Sequence, residues 1–186
     1  MALASAPSIA QPARGSGCPP RLVTAIRRAV RERDDWAQTA QRVAAEVQHH
    51  LPGPQILTSG ERQGDPAGYQ CHLLHSEADG AFSIVAMVWL PGQVTPIHDH
   101  ITWCVSGVLQ GAEYEEIFAL RRDGTVLAEV ARRVNDTGDV SGFAPPGDIH
   151  RVRNHGDGVA ISLHVYGTDI SRLGSSVRRL YDLPVA

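Results

Sequence analysis

The feature that most constrains this chain is the way its second part is cut into short runs. From Tyr69 to Gly167 the runs are YQCHLLHSE, FSIVAMVWLP, WCVSGVLQGAEYEEIFAL, TVLAEVARRV, DVSGFAPPG, HRVRN and VAISLHVYG, separated by Gly, Pro, Asp and Asn. Runs this short, apolar or alternating, are the pattern of many strands joined by tight turns. The expectation is an all-β sandwich or barrel. Two helices precede it. In PPRLVTAIRRAVRER (19–33), Leu22, Ile26, Ala29 and Val30 share one helical face and prolines stand at the front. DWAQTAQRVAAEVQHHL repeats Trp36, Ala40, Val43, Val47 and Leu51 at similar spacing, and Pro52-Gly53-Pro54 ends it. The Ala-, Ser-, Pro- and Gly-rich residues 1–18 read as a flexible tail before a single domain over 19–186, whose helical lead-in is 19–52. The closing SRLGSSVRRLYDLPVA reads as a short helix or irregular cover.

Composition narrows the class. The chain has 186 residues, 42% hydrophobic and 20% charged, with a formal net charge of -3, and its pI is near 6.3. Arg151/Arg153 and Arg178/Arg179 are local clusters, not the long basic stripe of a nucleic-acid or membrane-surface protein. Cys18, Cys71 and Cys104 are odd in number and far apart, so they do not form a disulfide framework. A reducing cytoplasm is the expected location. The first residues lack a charged and then continuously apolar signal pattern, and no apolar run is long enough to suggest a membrane span. The expected state is a monomer or a small homo-oligomer.

Chemistry gathers at three places. His98 and His100 are two apart at the start of an apparent strand, so both imidazoles project to one face. His150 opens another such strand, and if the two segments are neighbours three imidazoles converge. Neutral imidazole suits Fe, Zn, Cu or Ni. The plainer reading is a chance H-x-H and a turn-capping His150. Asp99, between the two histidines, should point away from them, as a turn or surface carboxylate. Ser162, His164 and Tyr166 also share one strand face and, if buried, can form a hydrogen-bonded chain from hydroxyl to imidazole to phenol. An edge strand facing water is the alternative.

The spacing around these residues resembles the cupin superfamily. Gly92, His98-x-His100 and Gly111 follow its first motif; Pro145-x-Gly147, His150 and Asn154 follow its second, together covering roughly residues 69–167. The resemblance implies a cupin-type β-barrel, or jelly roll. One departure stands out: where the first motif carries a glutamate ligand, this chain reads Ile101-Thr102-Trp103-Cys104. More specifically, HDH at 98–100, the W-x-V-x-G-V-L-Q-G-A-E run of 103–113, PPGDIHRVRN and SLHVYG resemble the thiol dioxygenases, the cysteine dioxygenase and 3-mercaptopropionate dioxygenase family. That resemblance implies that His98, His100 and His150 ligate Fe(II). It implies that Ser162, His164 and Tyr166 are the outer catalytic triad. The implied reaction takes a small thiol carboxylate and O₂ to the sulfinic acid.

It further permits a thioether between Cys104 and Tyr166, against a buried free cysteine that fills space. Family members place Arg or Gln where Cys71 stands, and a thiol cannot make a guanidinium's bidentate contact with a carboxylate. The substrate carboxylate is then expected to fall to Arg172, Arg178, Arg179 or Gln70, with Trp103 and Cys71 as pocket wall. Trp89, Phe82 and Tyr69 are expected in pocket wall or core, and His49, His50, His72, His75 and His155 as structural or surface residues. Two alternatives compete: a cupin enzyme with another metal and a non-thiol substrate, and a non-catalytic metal- or metabolite-binding cupin.

Overall fold

The computed structural model describes residues 9–11, 13–32 and 35–186. The periodicities above turn into elements with few surprises. Helices α1 (Pro20–Val30) and α2 (Trp36–His50) come first among them after a short strand β1 (Ile9–Ala10). Asp35 caps α2 by accepting from the Gln38 amide at 2.8 Å, which satisfies one of the helix's orphan donors. There follow β2 (Gln70–Ser76), β3 (Ser83–Trp89), β4 (His98–His100), β5 (Cys104–Gln110), β6 (Ala112–Leu120), β7 (Leu127–Asp136), β8 (Val140–Phe143), β9 (Ile149–Asn154) and β10 (Ala160–Tyr166). A short helix α3 (Ile170–Leu173) and strand β11 (Val177–Leu180) end the series.

The strands form two sheets, ordered β1-β2-β3-β10-β5-β8 and β11-β4-β9-β6-β7. This is the jelly-roll architecture of the cupin type. The middle of the first sheet is buried on both faces, and β10 shows how the sequence achieves it. Ile161, Leu163 and Val165 pack with Leu22 and Ile26 of α1 and Val43 and Val47 of α2 in one core. The alternate residues Ser162, His164 and Tyr166 turn to the interior between the sheets, and every residue of the strand is buried. Full burial of each such aliphatic side chain contributes about 1.5–3 kcal/mol, so the helices hold the back of the sheet while its front is free to be polar.

Gly111 is the hinge between the sheets. It joins β5 of the first to β6 of the second with φ +74°, and a Cβ there would lie 3.1 Å from the Ala160 Cα. Only glycine adopts that conformation without strain and lets the crossing chain lie against β10. The crossing brings the inward faces of β5 and β6 to one interior.

Two expectations about the chain ends need correction. Residues 1–8 lie outside the described residues, but Ile9 and Ala10 pair in parallel with Cys71 and His72, so this part of the expected flexible tail is a strand. Glu61 anchors the segment that follows: its carboxylate accepts from the Ser16 hydroxyl, from the Ala13 amide at 3.0 Å and from the Thr58 amide at 2.9 Å. Burial raises this carboxyl, but those hydrogen bonds win and bring it down to about 2. At the other end, the short helix expected in SRLGSSVRRLYDLPVA is present as α3 (Ile170–Leu173), but Val177–Leu180 beyond it is a strand that pairs antiparallel with β4. Among the described residues no helix is long and apolar enough to cross a membrane.

The Glu61 anchor is testable. Replacing Glu61 with Ala removes the charged acceptor shared by Ala13, Ser16 and Thr58 and should cost about 1–3 kcal/mol, read by urea denaturation, with faster proteolysis before residue 19. In the unaltered protein the carboxyl titrates lower folded than unfolded. Its contribution is therefore complete above about pH 4.5 and fades as pH falls toward 2. A denaturation difference between the two proteins that stays constant from pH 6 to pH 3 would contradict this.

Candidate metal centre

Strand pairing builds the centre. His98 stands directly opposite His150 in the antiparallel β4–β9 pair, and His100 shares the His98 face two residues on. The three rings lie 4.7 to 5.1 Å apart between centroids. One ring nitrogen from each falls within 4.8 Å of the others, and together they could hold a metal ion. All three side chains are buried.

Each ring is aimed by its other nitrogen. The His98 Nδ1 meets the Pro96 carbonyl at 2.9 Å, the His100 Nδ1 meets Asp148 at 3.1 Å, and the His150 Nδ1 meets Glu115 at 2.7 Å. Acceptors at all three positions fix the proton on Nδ1 and leave Nε2 with its lone pair toward the centre. Burial, with the neighbouring imidazoles, pushes His98 well below the usual imidazole range, and burial lowers His100 as well. Neutral rings are the form that ligates. Against burial, hydrogen bonds from His100 hold Asp148 low and those from His150 hold Glu115 low, so an ionised carboxylate sits behind each of these two rings. Asp148 also accepts the His100 backbone amide at 2.9 Å, so one carboxylate holds both the strand and the ring that it carries.

Asp99 corrects another expectation. Its side chain does point away from the histidines, but it is buried, not at the surface. β11 covers it: Arg178 donates to it at 2.5 Å and the Tyr181 hydroxyl at 2.8 Å.

The cavity beside the histidines is lined by Tyr69, Cys71, Trp89, Cys104, Glu113 and Ser176, among others, and by His164 and Tyr166. The Ser162 hydroxyl lies 2.9 Å from the His164 Nε2, and the His164 Nδ1 lies 3.4 Å from the Tyr166 hydroxyl. The Trp89 indole donates to Ser162 at 3.2 Å. The Tyr166 ring stacks 6.2 Å from that of His100. Thus the two groups of residues singled out by spacing meet at one cavity. Cys104 stands opposite Tyr166 in the β5–β10 register.

Several expected wall and substrate residues are elsewhere. Trp103 packs in the core against the helices and does not line the cavity; its neighbour Cys104 does, and adjacent strand residues face opposite ways. The same parity turns Gln70 away while Tyr69 and Cys71 face in. Arg172 pairs with Asp169 at 3.2 Å, Arg178 with Asp99, and Arg179 lies over the Tyr181 ring at 5.6 Å. The chain contains no lysine, and among the described residues no arginine lines the cavity. Sequence reasoning missed Asp148, Glu115 and Glu113. Their signal was present: Asp148 lies two residues before His150, and Glu113 and Glu115 keep the inward parity after the Gly111 crossing.

Fold and site together define a cupin with a buried three-histidine centre. The description of type I cysteine dioxygenases matches residues 63–175, more than half of the chain, and the chain belongs to that family. Among solved structures it is similar to a recombinant oxalate oxidase in complex with glycolate, at 21% identity over 56% of this chain and 53% of that one, with a TM-score of 0.45. It is also similar to the oxalate decarboxylase of Bacillus subtilis, at 23% identity over 48% and 22% of the two chains, with a TM-score of 0.40. For the Lactobacillus farciminis oxalate decarboxylase formate complex the values are 22% identity, 49% and 25%, and 0.41. The matched part thus spans about half of the oxidase and a quarter or less of the decarboxylases.

The aiming carboxylate gives a direct test. Glu115→Leu keeps all three imidazoles but should weaken divalent-metal affinity by about 10–100-fold, while His150→Ala should abolish retention. Chelator competition measures both. Full metal occupancy in His150→Ala would show that the third ligand lies elsewhere.

Proposed function

We propose that this protein is a non-haem Fe(II) thiol dioxygenase that converts a small thiol carboxylate, 3-mercaptopropionate or L-cysteine, with O₂ to the sulfinic acid. The observation that carries the proposal is that Ser162, His164 and Tyr166 form one hydrogen-bonded chain ending at the cavity of the three histidines. Family membership supports a dioxygenase. The metal reading rests on the donors: three imidazole nitrogens, no carboxylate in the cluster of His98, His100 and His150, and two ionised carboxylates one hydrogen bond further out. Such a set suits a divalent ion that must keep positions open for reactants. Ferrous iron, when bound by His98, His100 and His150, supplies a centre at which thiolate and dioxygen are brought together.

The protein's own groups then have assigned tasks. Burial, with Cys104 and Cys71 nearby, keeps the Tyr166 phenol far above its usual value, so it acts as a neutral hydrogen-bonding group beside the reacting atoms. His164, held down to about 3 by burial and then by His150 and His100, stays neutral and positions the phenol. Burial raises the Cys71 thiol to about 12, so it forms an uncharged wall. The overall reaction balances as R–SH plus O₂ giving R–SO₂H, with sulfur oxidised and both oxygen atoms retained. The unpaired cysteines support a cytoplasmic setting.

The register of Cys104 and Tyr166 supports a thioether between them. It would replace the thiol S–H and one ring C–H with an S–C bond, the two electrons passing to O₂. A Cys104→Ser variant should then lose a gel-mobility doublet that the unaltered protein shows after turnover.

A second reading, a thiol without a carboxylate, is favoured because no arginine among the described residues lines the cavity, and by the hydroxyls of Tyr69, Ser175 and Ser176 along it. One experiment addresses both. Anaerobic protein loaded with Fe(II) is given L-cysteine, 3-mercaptopropionate or cysteamine, then O₂, with oxygen uptake and sulfinate measured. One sulfinate per O₂ is expected with a thiol carboxylate, and zinc-loaded protein should be inert. Turnover of cysteamine alone would favour the second reading; uptake without sulfinate, or activity with zinc, would overturn thiol dioxygenation itself.

A further inference from the structure

Glu113 is the buried group that this scheme leaves without a task. It faces the cavity from β6, two residues before Glu115, and only 2% of it is exposed. Its Oε1 has no hydrogen-bond partner, while Ser162 and the Trp89 indole reach its carboxyl. It thus extends the Ser162–His164–Tyr166 chain by one member, at the end far from the histidines.

The protons along this chain allow two arrangements. The Ser162 oxygen has two lone pairs and one proton, and Trp89 occupies one lone pair. What remains is one proton and one lone pair to divide between Glu113 and the His164 Nε2. His164 is neutral and carries a single ring proton. If Glu113 is protonated, it donates to Ser162, Ser162 donates to the His164 Nε2, and the Nδ1 proton is given to Tyr166. The phenol's own proton then points into the cavity. If Glu113 is ionised, every bond reverses, Tyr166 donates to Nδ1, and its oxygen offers the cavity lone pairs alone.

We propose that Glu113 sets the proton direction of the Ser162–His164–Tyr166 chain, so that Tyr166 donates into the cavity when Glu113 is an acid and accepts there when it is a carboxylate. Glu113 is on this view a positioning residue, and only its effect on turnover rests on the thiol dioxygenase reading. Burial, the strongest influence, lifts its carboxyl to about 7, which puts the reversal in the neutral range. The groups that face it are known from every side. Glu115 on its own strand adds like charge, and Arg133 acts in turn on Glu115. Asn135 of β7 and Asn154 of β9 stand opposite in register. β10 presents Ser162 and His164, β3 presents Trp89, and β5 presents the Cys104 thiol, pushed well up by burial.

The test is infrared difference spectroscopy on the metal-free protein between pH 6 and 8, with labelled tyrosine and Tyr166→Phe to assign the Tyr166 band. The protonated carboxyl band should vanish as pH rises, and the Tyr166 C–O mode should shift with the same midpoint. In Glu113→Gln, which has a donor and an acceptor but no proton to lose, neither should change. Different midpoints in the unaltered protein, needing no variant at all, would overturn the proposal, as would an identical Tyr166 shift in Glu113→Gln. In Fe(II)-loaded protein, kcat should fall about tenfold from pH 6 to 8 as a group of pKa near 7 ionises. In Glu113→Gln that ratio should approach one with KM for the thiol unchanged. Coupled infrared bands in a protein that oxidises no thiol would support the role of Glu113 while overturning the dioxygenase reading.

Discussion

The structure depends on one constraint: a polar interior must be hydrogen-bonded throughout if it is to be buried at all. An unpaired buried donor or acceptor costs about 1–3 kcal/mol, and the space between these two sheets holds imidazoles, carboxylates, hydroxyls and a phenol. Most of these groups meet it, by pairs across strands and along them, while the Asp99 Oδ1 and the Glu113 Oε1 are left without a partner. Each Nδ1 of the histidine cluster has an acceptor, and β10 links its own polar residues to one another. The apolar cost is met on the other side of the same sheet, where α1 and α2 cover Ile161, Leu163 and Val165. A single strand thereby serves core and site by parity alone.

Carboxylate chemistry in the interior follows from neighbours, not from residue type. Glu113 and Glu115 are two positions apart on one strand and both face inward. Both are buried, yet burial prevails at Glu113 and raises it to about 7, whereas the His150 hydrogen bond prevails at Glu115 and lowers it. Pairs driven apart in this way assign different proton duties to like side chains. Here one carboxylate steadies a ligand and supplies negative charge behind it, while the other holds a proton that can be released near neutrality.

Much of the site was legible because its residues keep fixed offsets on strands. HDH, the His150 block and the Ser162-His164-Tyr166 face each follow from period-two geometry, and the register of β4 with β9 is what joins them. The errors are also parity errors. Trp103 and Cys104 are adjacent, as are Gln70 and Cys71, and neighbours on a strand cannot line the same wall. β11 was illegible because VRRL has no apolar alternation; it is held by its pairing with β4 and by the Asp99 contacts to Arg178 and Tyr181, which lie 79 and 82 residues away in the sequence. The N-terminal strand was hidden for a similar reason. Its anchor, Glu61, is remote in sequence, and nothing local in an Ala- and Ser-rich stretch announces it.

That strand bears on selectivity. Ile9 lies against Cys71 and, with Met87, Ile170 and Val177, gives the cavity an apolar flank. A charged contact to a substrate carboxylate contributes about 1.5–3 kcal/mol, a neutral hydrogen bond about 0.5–1.5. With Arg172, Arg178 and Arg179 paired to Asp169, Asp99 and the Tyr181 ring, recognition of the distal end of a thiol, on the proposed function, would fall to hydroxyls of the second kind. On that reading most of the binding energy would come from the sulfur end. A site so divided would discriminate among small thiols chiefly by length and by how well each tail tolerates the flank of Ile9 and Met87.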